Sequence, residues 1–255
     1  MRFSILGSGS RGNSVFVESG KTGILIDAGF SGKEIDSRLH SIGRELRDIK
    51  ALCLTHEHND HICGAGVISR KFKFPTYANF GTLSAGEKRL GKLFAAKEFE
   101  TGDLVQIEDL WVRSFRISHD TADPVGFVVS DGKSSLGYCT DTGKVSHLMA
   151  ERLRGCNALI LEFNHNLEML KNGPYPLPLQ QRVRSHMGHL SNEDAAAFLA
   201  ELIGSQLHIA VLAHLSETNN TPLLARDAAK SAVRQWGETI LFIAAQDRAL
   251  PLMVI

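Results

Sequence analysis

Residues 55–61 read Thr-His-Glu-His-Asn-Asp-His, so His56, His58, His61 and the carboxylate of Asp60 fall within six residues, directly after the apolar run Ala51-Leu52-Cys53-Leu54. Gathering imidazoles and a carboxylate at the end of a buried strand is unfavourable unless a cation occupies them. Neutral imidazole nitrogen and ionised carboxylate are both good ligands for zinc and similar divalent ions. A tight turn carrying His-x-His-x-Asp-His can aim its first two imidazoles at one ion and its Asp-His pair at a neighbour, and one ion alone would use fewer donors. A single histidine after a strand is more often a hydrogen-bonded core residue or part of a polar turn; four donors together point to metal.

Three more donors each follow a strand-like run: His119 after residues 115–117, Asp141 after 136–139 and His214 after 209–213. Loops at strand ends converge from distant positions, which is how a rigid scaffold assembles a site. Taken singly, His119 or His214 would pass for a polar loop residue. Ser8, Ser10, Arg11 and Asn13 lie on a Gly-rich turn after the first strand, where exposed amides are expected to receive a phosphate, although most such turns are only turns.

The elements that position these residues are legible from periodicity. Residues 3–6, 15–18 and 24–27 read as short strands separated by Gly-rich turns, an antiparallel opening sheet. A helix is expected over 31–42, with Ile35, Leu39 and Ile42 at helical spacing, then a buried strand over 51–55. A further helix falls near 79–90. Runs 104–107, 110–117, 125–130 and 134–139 form a second group of strands, with Asp131-Gly132 as a hairpin turn. The last third alternates: strand 158–162, helix 192–203 capped by Ser191, strand 208–213, helix 222–236 capped by Thr221 with Pro222 first in the helix, and strand 239–244. Residues 173–178 read as a rigid Pro-rich loop. Two strand-rich groups, each followed by helices, are satisfied by two sheets face to face with helices outside, an α/β four-layer αββα sandwich.

With 255 residues and 43% hydrophobic content the chain can bury a large core, and no linker-like segment divides residues 1–255, so one domain is expected. Twenty-eight basic residues balance twenty-eight acidic ones, so a polyanion must be held by metal or by a local patch such as Lys71, Lys73, Lys88, Arg89, Arg182 and Arg184. Cys53, Cys63, Cys139 and Cys156 show no C-x-x-C spacing, and no disulfide framework is expected. The first apolar run is too short for a signal peptide, and no segment reaches transmembrane length, so a cytoplasmic protein without membrane insertion is expected.

With these residues in place, the chain resembles the metallo-β-lactamase superfamily, whose motifs match Asp27 in Leu25-Ile26-Asp27-Ala28-Gly29, the 56–61 cluster, His119, Asp141 in Thr140-Asp141-Thr142-Gly143, and His214. The match covers nearly the whole chain in order. The resemblance implies two divalent ions per chain, Zn2+ or Mn2+. One would sit on His56, His58, His119 and Asp141, the other on Asp60, His61, Asp141 and His214, with Asp60 counted also among the catalytic groups. Asp27 would orient a ligand histidine. Segments 7–14, 161–166, 173–178, 188–194 and 214–222 look like the YycJ/WalJ branch, with Asn166 standing where an Asp is expected. That branch implies a single-domain DNA exonuclease running from the 5′ end.

The expected chemistry is in-line attack on phosphorus by a hydroxide shared between two ions, with charge developing on the leaving sugar oxygen. His189, between Met187-Gly188 and a capped helix, is the first candidate to protonate that oxygen; its plain alternative is to brace the loop. Glu162 is expected to orient His189, and His165 to contact substrate or bind metal. With Ser10 and Asn13 these complete the expected substrate side. A tRNA-processing nuclease is disfavoured because only 21 residues separate His119 from Asp141, enough for a hairpin and too few for an RNA-gripping arm. A hydrolase of small phosphodiesters, thioesters or lactones, or a noncatalytic metal-stabilised regulator, are the competing classes.

Overall fold

The structure, a computed structural model, describes residues 1–204, 206–233 and 239–255. Strands β1 (Arg2–Gly7), β2 (Ser14–Ser19), β3 (Thr22–Ile26), β4 (Ile49–Cys53), β5 (Thr76–Ala78) and β6 (Ala96–Glu98) lie in one sheet. Strands β7 (Leu104–Ile107), β8 (Leu110–Arg116), β9 (Val125–Ser130), β10 (Ser135–Cys139), β11 (Ala158–Glu162), β12 (Ile209–Ala213) and β13 (Ile240–Ile243) form the other. The last strand, β14 (Met253–Val254), returns to the first sheet beside β1, pairing Phe3 with Met253.

Alternation along the strands builds the layers. Phe3, Ile5, Ile24 and Ile26 of the first sheet meet Phe127, Tyr138, Ile160 and Val211 of the second in a central apolar cluster. Leu25 and Leu52 point the other way, onto Ile35 and Leu39 of α1 (Gly32–Ser41) and Ile68 of α3 (Ala65–Phe72). On the opposite outside, Leu159, Leu161 and Leu212 pack on Leu153 of α5 (His147–Leu153), Leu199 of α8 (Asn192–Leu202) and Ala229 of α9 (Pro222–Val233). Side chains of period two facing opposite ways need a cover on each face, and the result is the αββα sandwich.

Strand direction positions the chemistry. β1, β2 and β3 form an antiparallel meander, as the sequence predicts, so β1 and β3 run the same way, and β4 joins β3 in parallel with Leu25 opposite Leu52. In the second sheet β8 and β10 each pair antiparallel with β9, while β10, β11 and β12 are mutually parallel. The carboxyl ends of β3 and β4 thus share one edge of their sheet, and those of β8, β10, β11 and β12 share one edge of the other. These two edges meet over the donor residues.

Several short elements had no sequence signal of their own: α2 (Asn59–Ile62), α3, β5, β6, α5, α6 (Leu167–Asn172) and α7 (Leu177–Val183). The expected rigid loop 173–178 gives way at Leu177, where α7 begins with Pro178 in its first turn. The helix near 79–90 is α4 (Phe80–Leu90), whose cap Asn79 accepts from Thr82 N at 2.9 Å. The helix expected to 236 is α9 as far as Val233, and residues 234–236 lie outside the described residues.

Candidate metal centre

Asp27, Asp141 and His214 leave their strands with φ of 60°, 60° and 54°, the left-handed region that side chains rarely adopt. Such conformations persist only where surrounding contacts over-determine them, and they concentrate at working sites. Here each follows a strand end and turns its side chain over the edge of the sandwich. Gly29 permits the approach of the 56–61 loop: a Cβ there would stand 1.7 Å from the Asp60 carbonyl oxygen.

The donors gather in overlapping sets. His56, His58 and His119 offer nitrogens within 4.8 Å of one another, and Asp60, His61 and His214 offer donor atoms equally close together. Asp141 joins both neighbourhoods, grouped with His56 and His61 and separately with Glu162, His189 and His214. Its two oxygens face different ways. Oδ2 lies 3.3 Å from His61 Nε2, and Oδ1 lies 3.3 Å from His214 Nε2 and 4.0 Å from His119 Nε2.

Four of the rings have one nitrogen tethered and the other turned inward. His61 Nδ1 donates to Asp27 Oδ2 at 2.7 Å, His56 Nδ1 meets Thr55 Oγ1 at 2.9 Å, His119 Nδ1 donates to the Gly188 carbonyl at 3.2 Å, and His214 Nδ1 meets Glu162 Oε1 at 3.1 Å. Asp27 also accepts the Thr55 amide at 2.9 Å, so it anchors the loop as well as the ring. The inward atoms His56 Nε2, His214 Nε2 and Asp141 Oδ2 are buried without a hydrogen-bond partner. An orphaned buried polar atom costs about 1–3 kcal/mol, and three of them within adjoining donor groups fit divalent cations.

Charge agrees with that fit. Burial opposes a proton on His214, but Asp141, Asp60 and Glu162 outweigh it and hold the imidazole up at about 10. Burial likewise opposes the charged form of His61, and Asp27, Asp141 and Asp60 together raise it well above the ordinary histidine value. The carboxylate excess responsible for both shifts is the charge that divalent cations neutralise. Burial dominates at His56 and His119, which it holds below the usual histidine range.

Glu162, at the end of β11, accepts His189 Nδ1 at 2.8 Å through Oε1, the oxygen that also faces His214, while Oε2 accepts the Thr142 and Leu190 amides at 3.1 and 3.0 Å. Burial pushes its carboxyl up, but His189 and its hydrogen bonds bring it down to about 2. His189 is half-buried, stacks on His214 with ring centroids 5.3 Å apart, and keeps Nε2 free.

Other expected residues fall elsewhere. Asn13, expected at the substrate, is 1% exposed; its Nδ2 lies 3.0 Å from His61 Nε2 and 3.3 Å from Asp60 Oδ2, and its Oδ1 accepts the Gly9 amide at 2.9 Å. It braces the donors. The Gly-rich turn is no amide cradle either, because the amides of Ser8, Gly9, Arg11, Gly12 and Asn13 are all bonded within the protein. Ser10 is exposed on that turn. His165 is buried with Nδ1 unpartnered, held down to about 4 by burial, and lies outside the donor groups found among the described residues.

Sequence reasoning missed Asp120. Its Oδ1 stands 3.5 Å from His119 Nε2 and 3.7 Å from His58 Nε2, and its Oδ2 receives Arg182 Nε at 2.7 Å and Nη2 at 2.6 Å. The only available signal was an acidic residue directly after His119.

A β-lactamase superfamily domain model matches residues 22–215. The chain belongs to the metallo-β-lactamase superfamily. It is 38% identical over 239 residues to the exodeoxyribonuclease YycJ of Bacillus anthracis, covering 93% of this chain and 90% of that protein. To the exodeoxyribonuclease WalJ of Streptococcus pneumoniae serotype 2 strain D39 it is 41% identical over 228 residues, 88% of this chain and 85% of the relative. Its fold is similar to that of YhfI, a metallo-β-lactamase fold protein of Bacillus subtilis, with a TM-score of 0.76 over 98% of both chains at 17% identity. The superfamily fold and the His/Asp clusters make this a chain equipped to bind divalent metal. Among the described residues no helix is long and apolar enough to cross a membrane.

Proposed function

We propose that this chain is a metal-dependent exodeoxyribonuclease that degrades DNA from the 5′ end, with residues 1–255 acting as one catalytic domain in the cytoplasm. The observation that carries it is the pair of donor sets joined by Asp141, in a chain about 40% identical to two exodeoxyribonucleases over most of its length. Two ions, Zn2+ or Mn2+, would be held by His56, His58, His119 and Asp141 and by Asp60, His61, Asp141 and His214. When bound they neutralise nonbridging phosphate oxygens and acidify water at neutral pH.

The chain's own residues supply the rest. Glu162 Oε1 accepts from Nδ1 of His189; as the imidazolium, His189 gives its Nε2 proton to the leaving sugar oxygen and remains as the neutral ring with Nδ1–H on Glu162. Asp27 holds His61 in place through Nδ1, and Asn13 braces the adjoining Asp60. Ser10, exposed at the turn, is assigned to the substrate side, and His165, buried with Nδ1 unpartnered, is kept as a candidate contact for substrate or metal.

End-labelled single- and double-stranded DNA and RNA, digested with each metal in turn, test this reading. Release of the 5′ label from DNA ahead of RNA is expected. Degradation from the 3′ end would overturn the polarity, and hydrolysis confined to thioesters or lactones would overturn the nuclease.

A further inference from the structure

Next to the metal centre, on the His214 side, lies a cavity of about 660 Å3 to which no role has been given. Ser8 and Leu215 join the two spaces. Ser8 lines the cavity while its Oγ accepts the His214 amide at 2.9 Å and donates to Asn13 Oδ1 at 3.1 Å, and Leu215 follows His214 directly. The outer edge of β13 borders it, with Leu241 and Ile243 turned toward the helices and Phe242 toward the central cluster, and Leu250, Arg11, Arg226 and Arg248 line it together with Glu217 and Asp247.

We propose that this cavity holds a nucleoside of the DNA strand adjoining the scissile phosphate. The inference rests on the phosphodiesterase reading of the neighbouring centre. A volume of this size lies within the common range for small-molecule sites. Apolar side chains at the strand edge and three guanidinium groups match a nucleotide's two parts, a base and an anionic backbone.

The lining also says how the base is read. Asn220 Nδ2 donates to the carbonyls of Phe163 and Asn164 at 2.8 and 3.1 Å. Gln246 accepts the Arg11 amide at 2.8 Å and donates to the Gly12 carbonyl at 2.9 Å, and Ser216 Oγ accepts the Asn219 amide at 3.1 Å. These side-chain amides are engaged in holding the loops, so none of them is spare to read a base edge, and the grip comes from apolar contact and charge and is expected to be alike for any base. Direct readout would require free donors and acceptors at the base edge.

Two carboxylates of the lining oppose the strand: Asp247, 4.0 Å from Arg248, and Glu217. Arg11, on the β1–β2 turn, is paired with Glu217, on the loop after β12, and both side chains are exposed lining residues. A phosphate entering here exchanges Glu217 for itself as the partner of Arg11, so the carboxylate competes with DNA.

The test measures binding and turnover separately on the full metal-loaded chain. Anisotropy of a fluorescein-labelled single-stranded phosphorothioate oligonucleotide gives Kd, and steady-state hydrolysis of DNA and of bis(p-nitrophenyl) phosphate gives kcat and KM. Arg226→Glu with Arg248→Glu is expected to weaken oligonucleotide binding about tenfold or more and to raise KM in step, with the small diester hydrolysed as before. Glu217→Gln should tighten binding severalfold, a gain that misfolding cannot produce. Oligo-dA and oligo-dT should bind alike. Unchanged Kd in both the charge-reversed and the Glu217→Gln proteins would overturn the cavity's role even if wild-type nuclease activity is high. Altered Kd without cleavage of either substrate would leave the cavity as a strand site and overturn the phosphodiesterase reading instead.

Discussion

Asp141 is the residue on which the centre depends most. One oxygen faces His61 and the other lies between His214 and His119, so the carboxylate spans both donor sets and no neutral side chain replaces it. Asp141→Ala is expected to remove activity and to bring bound metal, measured by elemental analysis on a metal-saturated preparation, from two ions to one or fewer. Retention of two ions would remove Asp141 from the bridging position. His189 sits differently: one nitrogen is tethered to Glu162, and the side chain is partly exposed. Loss of a positioned general acid commonly costs about a hundredfold or more in rate, so His189→Ala should fall by that order on DNA with both metals retained. On a nitrophenyl diester, whose leaving group needs no proton, the defect should shrink. Equal loss on both substrates would reassign His189 to phosphate binding or metal organisation.

At the scale of elements, α7 gains a purpose from the Arg182–Asp120 contact. The two-pronged guanidinium holds Asp120 beside His58 and His119, so a helix distant in sequence stiffens one donor set. Arg182→Ala should weaken metal affinity about tenfold or more, measured by competition with a chromogenic chelator, while Arg182→Lys recovers only part because it cannot make both bonds. The β9–β10 hairpin offers a stability test away from the centre. Asp131 accepts the Lys133 and Ser134 amides at 3.0 and 2.9 Å and Ser19 Oγ at 2.9 Å, and lies 3.3 Å from the amino-terminal ammonium. Burial raises its pKa, but these partners hold it below the ordinary carboxylate range. A depressed folded-state pKa means stabilisation that is present above the unfolded value, about 4, and is lost as pH falls through the folded value. Asp131→Asn should therefore melt below the wild type at pH 7, by roughly 1 kcal/mol or more, and the gap should close as pH drops below about 4. A gap constant down to about pH 2 would show that the charge contributes nothing.

For the whole molecule, bound cations stabilise the fold by mass action as well as serving chemistry, because the donor atoms converge only when both sheets are formed. Chelation should abolish activity and lower Tm, with both restored by Zn2+ or Mn2+; an unchanged Tm would mean that the centre is preorganised without them. Candidate donors are readable in the chain: His56, His58, Asp60 and His61 are close neighbours, and the affinity of imidazole and carboxylate for divalent ions is a property of residue type. The long strands and capped helices are readable there too, because their periodicity and caps are local. Folding in three dimensions settles that Asp141 lies between His61, His214 and His119, that Asn13 is a buried brace, that Arg182 reaches Asp120, and that Ser8 and Leu215 line a second cavity. Those facts depend on strand direction and on contacts between residues tens to hundreds of positions apart, which no local pattern encodes. The short elements β5, β6 and α7 escaped for the same reason: three to seven residues carry too little periodicity to announce themselves, and packing against neighbours forms them.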